Sequence, residues 1–205
     1  YHNFHMYKEY HSHDTPGLES IPQKGDLTLI RSSHKEARYN EILHAQFNDD
    51  NEEERIEEIM KYIKKSKQDF TFWISPFDYP KELLGLLLKK DWELDKEWIL
   101  MSSKIKELHP LKENNEEKMD CSNTKIPFQV YKASFGEGSL LFHAGIAGIY
   151  NVKGDKKKVI NYLLQEIKKT DYPFVSTVCS EEQALIFLEY GLFGRGGYKT
   201  LLYKN

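Results

Sequence analysis

The chain has 205 residues, 40% of them hydrophobic and 30% charged, with a formal net charge of −3. That length carries one large domain or two small ones with a real core. The weak negative balance offers no field for nucleic acid, so that partner class is set aside. The longest apolar run, Leu83–Leu88, is too short to span a bilayer, and no membrane partner is expected. No basic, apolar leader is visible at Tyr1-His2-Asn3-Phe4. Cys121 sits in a polar linker and Cys179 at a strand end, so both are expected to be free thiols in a reducing cytoplasm.

Residues 1–24 form an N-terminal arm. His2, His5, His11 and His13 match no closed zinc spacing and no cysteine joins them, so no metal site is expected. Phe4, Met6 and Tyr7 are expected to pack the arm on the domain. Residues 25–106 form a first lobe. It begins with a strand over Asp26–Arg31 and a helix capped by Ser33 that carries Ala37, Ile42, Leu43 and Phe47. Ile56, Ile59, Met60 and Ile63 mark a second helix. Glu52–Glu54 sit at its favourable end for acids and Lys61–Lys67 at the end for bases. Phe70–Ser75 is a strand. Pro80 opens a leucine-rich helix expected to be deeply buried, and Lys96–Ser102 is the next strand.

Residues 107–125 are polar and form a linker. Residues 126–205 form a second lobe. A hairpin turns around Gly136-Glu137-Gly138, followed by a buried strand through Ala147-Gly148-Ile149-Tyr150-Asn151-Val152. Ile160, Leu163, Leu164 and Ile167 mark a helix behind the basic run Lys156–Lys158. Phe174–Cys179 is a strand, Ser180 caps a last helix through Ala184, Phe187 and Leu188, and a strand runs from Tyr198 to Tyr203. A strand feeding a helix through a short basic loop turns free amides outward, a natural seat for a phosphate. The run of helix, strand, helix and strand occurs twice, about one hundred residues apart, and reads as two related lobes.

This order resembles the acetyl-CoA-binding half of the GNAT acetyltransferase superfamily. There, a strand leads into an Arg/Gln-x-x-Gly-x-Gly/Ala loop, then a strand, then a helix ending in Leu-Tyr and Gly-Phe. Lys156 to Asn161 occupy the loop, with Val159 and Asn161 where glycines are expected; Ser180, Ala184, Phe187-Leu188 and Gly191-Leu192-Phe193 resemble the ending. The resemblance implies a mixed α/β acyl-CoA N-acyltransferase fold with a degenerate N-terminal GNAT-like lobe. It implies acetyl-CoA as co-substrate, held by Ile149, Tyr150, Asn151, Val152, Lys157, Lys158, Val159, Ile160, Asn161 and Ser180. The acceptor is a small-molecule or peptide amine that attacks the thioester directly. Tyr190 is the candidate acid, because Leu188 stands where the family has tyrosine; Glu137 and His143 are the candidate bases. The lost glycines and the leucine at 188 support a second reading, a catalytically silent ligand-sensing or protein-interaction module.

Overall fold

The computed structural model describes residues 19–48, 50–109, 118–123 and 128–205. The expected packing of Phe4, Met6 and Tyr7, the histidines of the N-terminal arm and the middle of the linker lie outside the described residues. In chain order the elements are β1 (Glu19–Gln23), β2 (Leu27–Arg31), a 3-10 turn (Ala37–Tyr39), β3 (Glu41–Leu43), α1 (Glu52–Ser66), β4 (Phe70–Ile74), α2 (Leu83–Leu88) and β5 (Glu93–Lys104). A second 3-10 turn (Ile105–Glu107) precedes β6 (Asp120–Asn123), β7 (Phe128–Ala133), β8 (Gly136–His143), β9 (Ile146–Gly154), α3 (Lys156–Lys168), β10 (Phe174–Cys179), α4 (Glu181–Glu189) and β11 (Phe193–Tyr203). This is the mixed α/β architecture expected of the sequence.

The chain divides into two units. The first holds the described residues up to Glu97 together with Tyr198–Asn205, and the second holds those from Trp98 to Gly197. The repeated runs therefore exchange their last strands. In the first unit, β11 pairs antiparallel with β4, Lys199 to Tyr203 opposite Ile74 to Phe70. In the second, β5 pairs antiparallel with β10, Ile99 to Lys104 opposite Cys179 to Phe174.

In the first unit, α1 buries Ile56, Ile59, Met60 and Ile63 against Leu27, Leu29, Ile42, Phe70 and Phe72. Its acidic first turn and Lys64 and Lys65 near the other end complement the helix dipole. Arg55 is buried on this helix. It donates to both carboxylate oxygens of Asp26, at 2.6 and 2.8 Å, and to Glu58.

Three expectations need correction here. The helix expected from Ser33 to Phe47 is a 3-10 turn followed by β3. Asn40 explains it. Its side chain accepts from Ser32 N at 2.9 Å and donates to the carbonyls of His34 and Glu36, taking over bonds a helix would have made. Ile42 and Leu43 then serve the sheet, with β3 antiparallel to β2 and parallel to β4. The leucine-rich helix is only Leu83–Leu88. Leu83 and Leu87 enter the core, whereas Leu88 is 46% exposed. The apolar run is a one-sided helix whose remaining leucines line its flank. Finally, β1 lies in the stretch expected to be arm and pairs with β2. Pro22 is tolerated there because β1 ends the sheet and needs no donor on its outer side.

In the second unit, the neighbouring strands run β5, β10, β9, β8, β7, β6. Helix α3 buries Val159, Ile160, Leu163, Leu164 and Ile167 in a core with Leu140, Ile149, Val175 and Phe187. The helix lies close on β8: a Cβ on Gly138 would sit 2.7 Å from Leu163 Cδ1 and 3.0 Å from a Val159 methyl. The β7–β8 hairpin turns at Ser134-Phe135, two residues before the expected place. Part of the expected linker is strand β6, with Cys121 opposite Tyr131. Among the described residues, no helix is long and apolar enough to cross a membrane.

Candidate cofactor cleft

The cleft that the sequence points to lies in the second unit, where β9 leaves β10. The two strands are parallel and pair from Ile146 with Phe174 to Ile149 with Thr177. Pairing stops there, although β10 continues to Cys179 and β9 to Gly154. Thr177 Oγ1 donates to the Ile149 carbonyl at 2.7 Å and secures the last shared position.

Just beyond, β9 carries a bulge. Tyr150 is opposite Ser139, yet Lys153 is opposite Glu137, so Asn151 and Val152 face the single residue Gly138. Asn151 takes a left-handed conformation, φ +54°, which asparagine tolerates better than most residues. Ile149 and Tyr150 are buried, Val152 is half-buried and Asn151 is exposed. A parting of parallel strands beside a bulge leaves main-chain groups of β9 without a strand partner on that side.

The phosphate side of the cleft differs from expectation. Residues Lys156 to Asn161 are no loop: they are the opening of α3, and Asp155 alone joins them to β9. Val159 N bonds to the Asp155 carbonyl at 3.0 Å, and Lys158 N donates to Asp155 Oδ1 at 3.2 Å. The amides of Ile160 and Asn161 fall within the helical ladder. Only the amides of Lys156 and Lys157 remain outside it. Val159, Ile160 and Asn161 are buried on the packed face of the helix. The helix forms here because Asp155 caps it and the apolar period begins at Val159, so no backbone is left over to wrap an anion.

Gly154 does not serve a ligand either. Its φ is +80°, and a Cβ would lie 2.4 Å from the Phe135 carbonyl oxygen and 2.6 Å from Gly136 Cα. It is glycine because two backbones meet there.

Three lysines at a helix N-terminus oppose the dipole. The protein supplies its own counter-charge from α4. Lys156 Nζ pairs with Glu182 and Lys157 Nζ with Glu189, each at 2.5 Å, and the Glu189 bond raises the Lys157 pKa. Lys158 Nζ lies 6.0 Å from the centre of the Phe135 ring. Ser180 caps α4 reciprocally with Gln183, as its position suggests. The Gln183 side chain also reaches across the opening, its Nε2 donating to the Val152 carbonyl at 3.3 Å. Asp155, Gln183, Glu182 and Glu189 were not singled out from sequence. Ser180-x-x-Gln183 was the available signal for Gln183 and an aspartate just before an apolar helical period the signal for Asp155, whereas Glu182 and Glu189 act through tertiary contact.

The two candidate bases lie at opposite ends of β8. Tyr190 is the C-cap of α4 and buried; burial raises its pKa, Lys157 opposes that rise, and Glu189 and Asp155 add to it. Its carbonyl accepts from His109 N at 3.0 Å. Glu137 bonds to Lys153 Nζ at 2.7 Å, which holds its carboxyl below the usual range. His143 sits at the far end of β8, opposite Ile146. Six residues of strand separate it from Glu137, about 20 Å, so the two do not share a site. Burial pushes the Cys179 thiol up to about 12, which excludes it as a nucleophile at neutral pH. No disulfide joins it to the exposed Cys121. Among the described residues, no group of three or more His, Cys, Asp or Glu side chains is placed to hold a metal.

No family model and no curated protein matches this sequence. Solved structures do. A GCN5-related N-acetyltransferase from Kribbella flavida superposes with a TM-score of 0.71 at 7% identity, over 98% of this chain and 95% of that one. One from Sphaerobacter thermophilus gives 0.59 at 8%, over 87% and 80%. A tandem GNAT protein from the clavulanic acid biosynthesis pathway gives 0.55 at 9%, over 86% and 78%. At such identities the likeness speaks for the fold alone. The chain has the fold of the GCN5-related N-acetyltransferase superfamily.

Proposed function

We propose that this chain is a catalytically silent member of the GNAT fold, a binding or interaction module that does not transfer acetyl groups. One observation carries this reading: a single residue, Asp155, separates β9 from α3, and its carboxylate caps the helix where a diphosphate would sit. A diphosphate cradle needs several converging amides on backbone that approaches closely. Two amides beside a carboxylate do not make one. The ion pairs of Lys156 and Lys157 are exposed and worth only ~0–1 kcal/mol each, so they alone would not keep a ligand out. The shortness of the connection is what supports the silent reading.

A second reading, acetyl transfer from acetyl-CoA to an amine, is favoured by the bulge at Asn151 and the parting of β9 from β10 beyond Thr177. In that reading the main chain of Ile149 to Val152 holds the pantetheine arm once Gln183 swings off the Val152 carbonyl. Lys157 and Lys158 meet the phosphates, and Tyr190 protonates the departing thiolate. Thiol release from acetyl-CoA, followed over a broad panel of amines and amine-bearing peptides, separates the two. The silent reading expects the rate to match the protein-free blank with every acceptor; acceptor-dependent release above the blank overturns it.

A further inference from the structure

We propose that the groove between α1 and the β1–β2 hairpin of the first unit binds a small aryl or branched-alkyl carboxylate. The groove has two compartments that share Tyr62 as a wall. One is a cavity of about 190 Å³ floored by Leu27, Leu29, Ile42 and Ile59, each a core residue. An apolar cavity of ~150 Å³ suffices for benzene, so one ring or a branched chain of similar bulk fits. The other compartment is polar and more open, about 660 Å³, and is lined by Arg31, Lys65 and Glu19 among others.

The charges orient the occupant. At the outer end of the apolar cavity the cations are already matched: Lys24 pairs with Glu58, and Arg55 pairs with Asp26 and Glu58. At the Tyr62 end one of the two is not. Lys65 has no carboxylate partner among the described residues. The Arg31 guanidinium is fixed by the Tyr62 hydroxyl, which accepts from Nη1 at 2.9 Å. Arg31 Nε and Nη2 both donate, at 3.2 Å, to one oxygen of Glu19, whose side chain is 64% exposed. The carboxylate of Glu19 thus marks where a carboxylate sits on this guanidinium, and it does so with one oxygen only. A ligand carboxylate makes two parallel bonds in its place, the stronger arrangement. One of the last carbonyls of α1, which would repel an anion, is covered: Ile63 O accepts from Ser66 Oγ at 2.6 Å and from Asn205 Nδ2 at 2.8 Å. This inference concerns the first unit only and stands whether or not the second unit binds acetyl-CoA.

The test is a titration of the full chain with phenylacetate, followed by the methyl resonances of Leu27, Leu29, Ile42 and Ile59. Saturable shifts confined to these methyls are expected. Phenylacetamide, which keeps the ring and loses the charge, should bind about tenfold more weakly, and Arg31→Gln should cost phenylacetate about tenfold. Lys65→Gln, on an exposed side chain, should weaken it about two- to threefold without touching the fold. The proposal is overturned if the methyls do not move at millimolar phenylacetate. It is equally overturned if the amide binds as well as the acid, or if the folded Arg31 and Lys65 variants both bind like the parent.

Discussion

Each unit contains a parallel strand–helix–strand step, and the two treat the space between the strands differently. In the first unit, β3 and β4 pair only at Glu41 with Thr71 and Ile42 with Phe72. Beyond that the gap is sewn shut by main chain. Tyr79 N donates to the Ala45 carbonyl at 3.1 Å and Phe47 N to the Tyr79 carbonyl at 3.0 Å. In the second unit, β9 and β10 pair over four positions, and the gap beyond is bridged by one side chain, Gln183, at 3.3 Å. Main-chain closure is permanent on the timescale of binding, whereas a single long amide bond is not. Among the described residues the first unit closes this space with main chain. The second leaves the strands parted beside a bulge, with one residue between β9 and its helix.

The helices that follow repeat the contrast. Eight residues separate β3 from α1, whose N-cap Asn51 makes no capping bond into the helix and instead accepts from Asn48 N. One residue separates β9 from α3, and it caps.

Four experiments break or sharpen this comparison. The largest effects belong to the two cores. Ile63→Ala in α1 and Leu163→Ala in α3 each remove a fully buried side chain and should each cost about 2–5 kcal/mol in denaturant titration. A loss in one helix only would mean that the units do not carry comparable cores. Next is Arg55→Ala. It strands Asp26, so about 3 kcal/mol should be lost, and an Asp26→Asn second substitution should recover part of it. No recovery would place the loss in packing instead. Third, Asp155→Ala should cost ~1 kcal/mol as a lost cap, and Asn51→Ala clearly less. Equal losses would erase the distinction drawn between the two helix entries.

The last effect is one of pH and is confined to alkaline solution. Cys179 ionises at about 12 in the folded chain against an ordinary value near 9, so the native state disfavours its thiolate. The contribution is complete below pH 9 and disappears as pH climbs from 9 towards 12. Cys179→Ala should therefore flatten the alkaline limb of the stability curve. A thiol reagent at neutral pH should modify the exposed Cys121 and leave Cys179 untouched until the chain unfolds. An unchanged alkaline limb, or early modification of Cys179, would contradict its burial.

Legibility from sequence followed the physics of each element. Phe174–Cys179 was readable to the residue, and so was the start of the helix behind Ser180, because a β-branched run and a capping serine are local signals. The elements β1, β3 and β6 were not, since each is short and gains its strand character from a neighbour, as β3 does through Ile42 opposite Leu29. In the candidate cleft the basic run Lys156–Lys158 was visible, and so was an aspartate just before an apolar helical period. Reading Asp155 as a cap would have placed the helix correctly; the resemblance to a glycine loop displaced that local signal. Glu182 and Glu189, one helix away, had no local signature as partners of those lysines.

The central claim, that the second unit keeps a GNAT opening without a seat for a diphosphate, is tested most directly by calorimetry of the full chain with acetyl-CoA, with Lys157→Glu alongside. The account predicts no saturable heat from either protein at millimolar ligand. A saturable one-to-one isotherm from the parent, lost in Lys157→Glu, would contradict it.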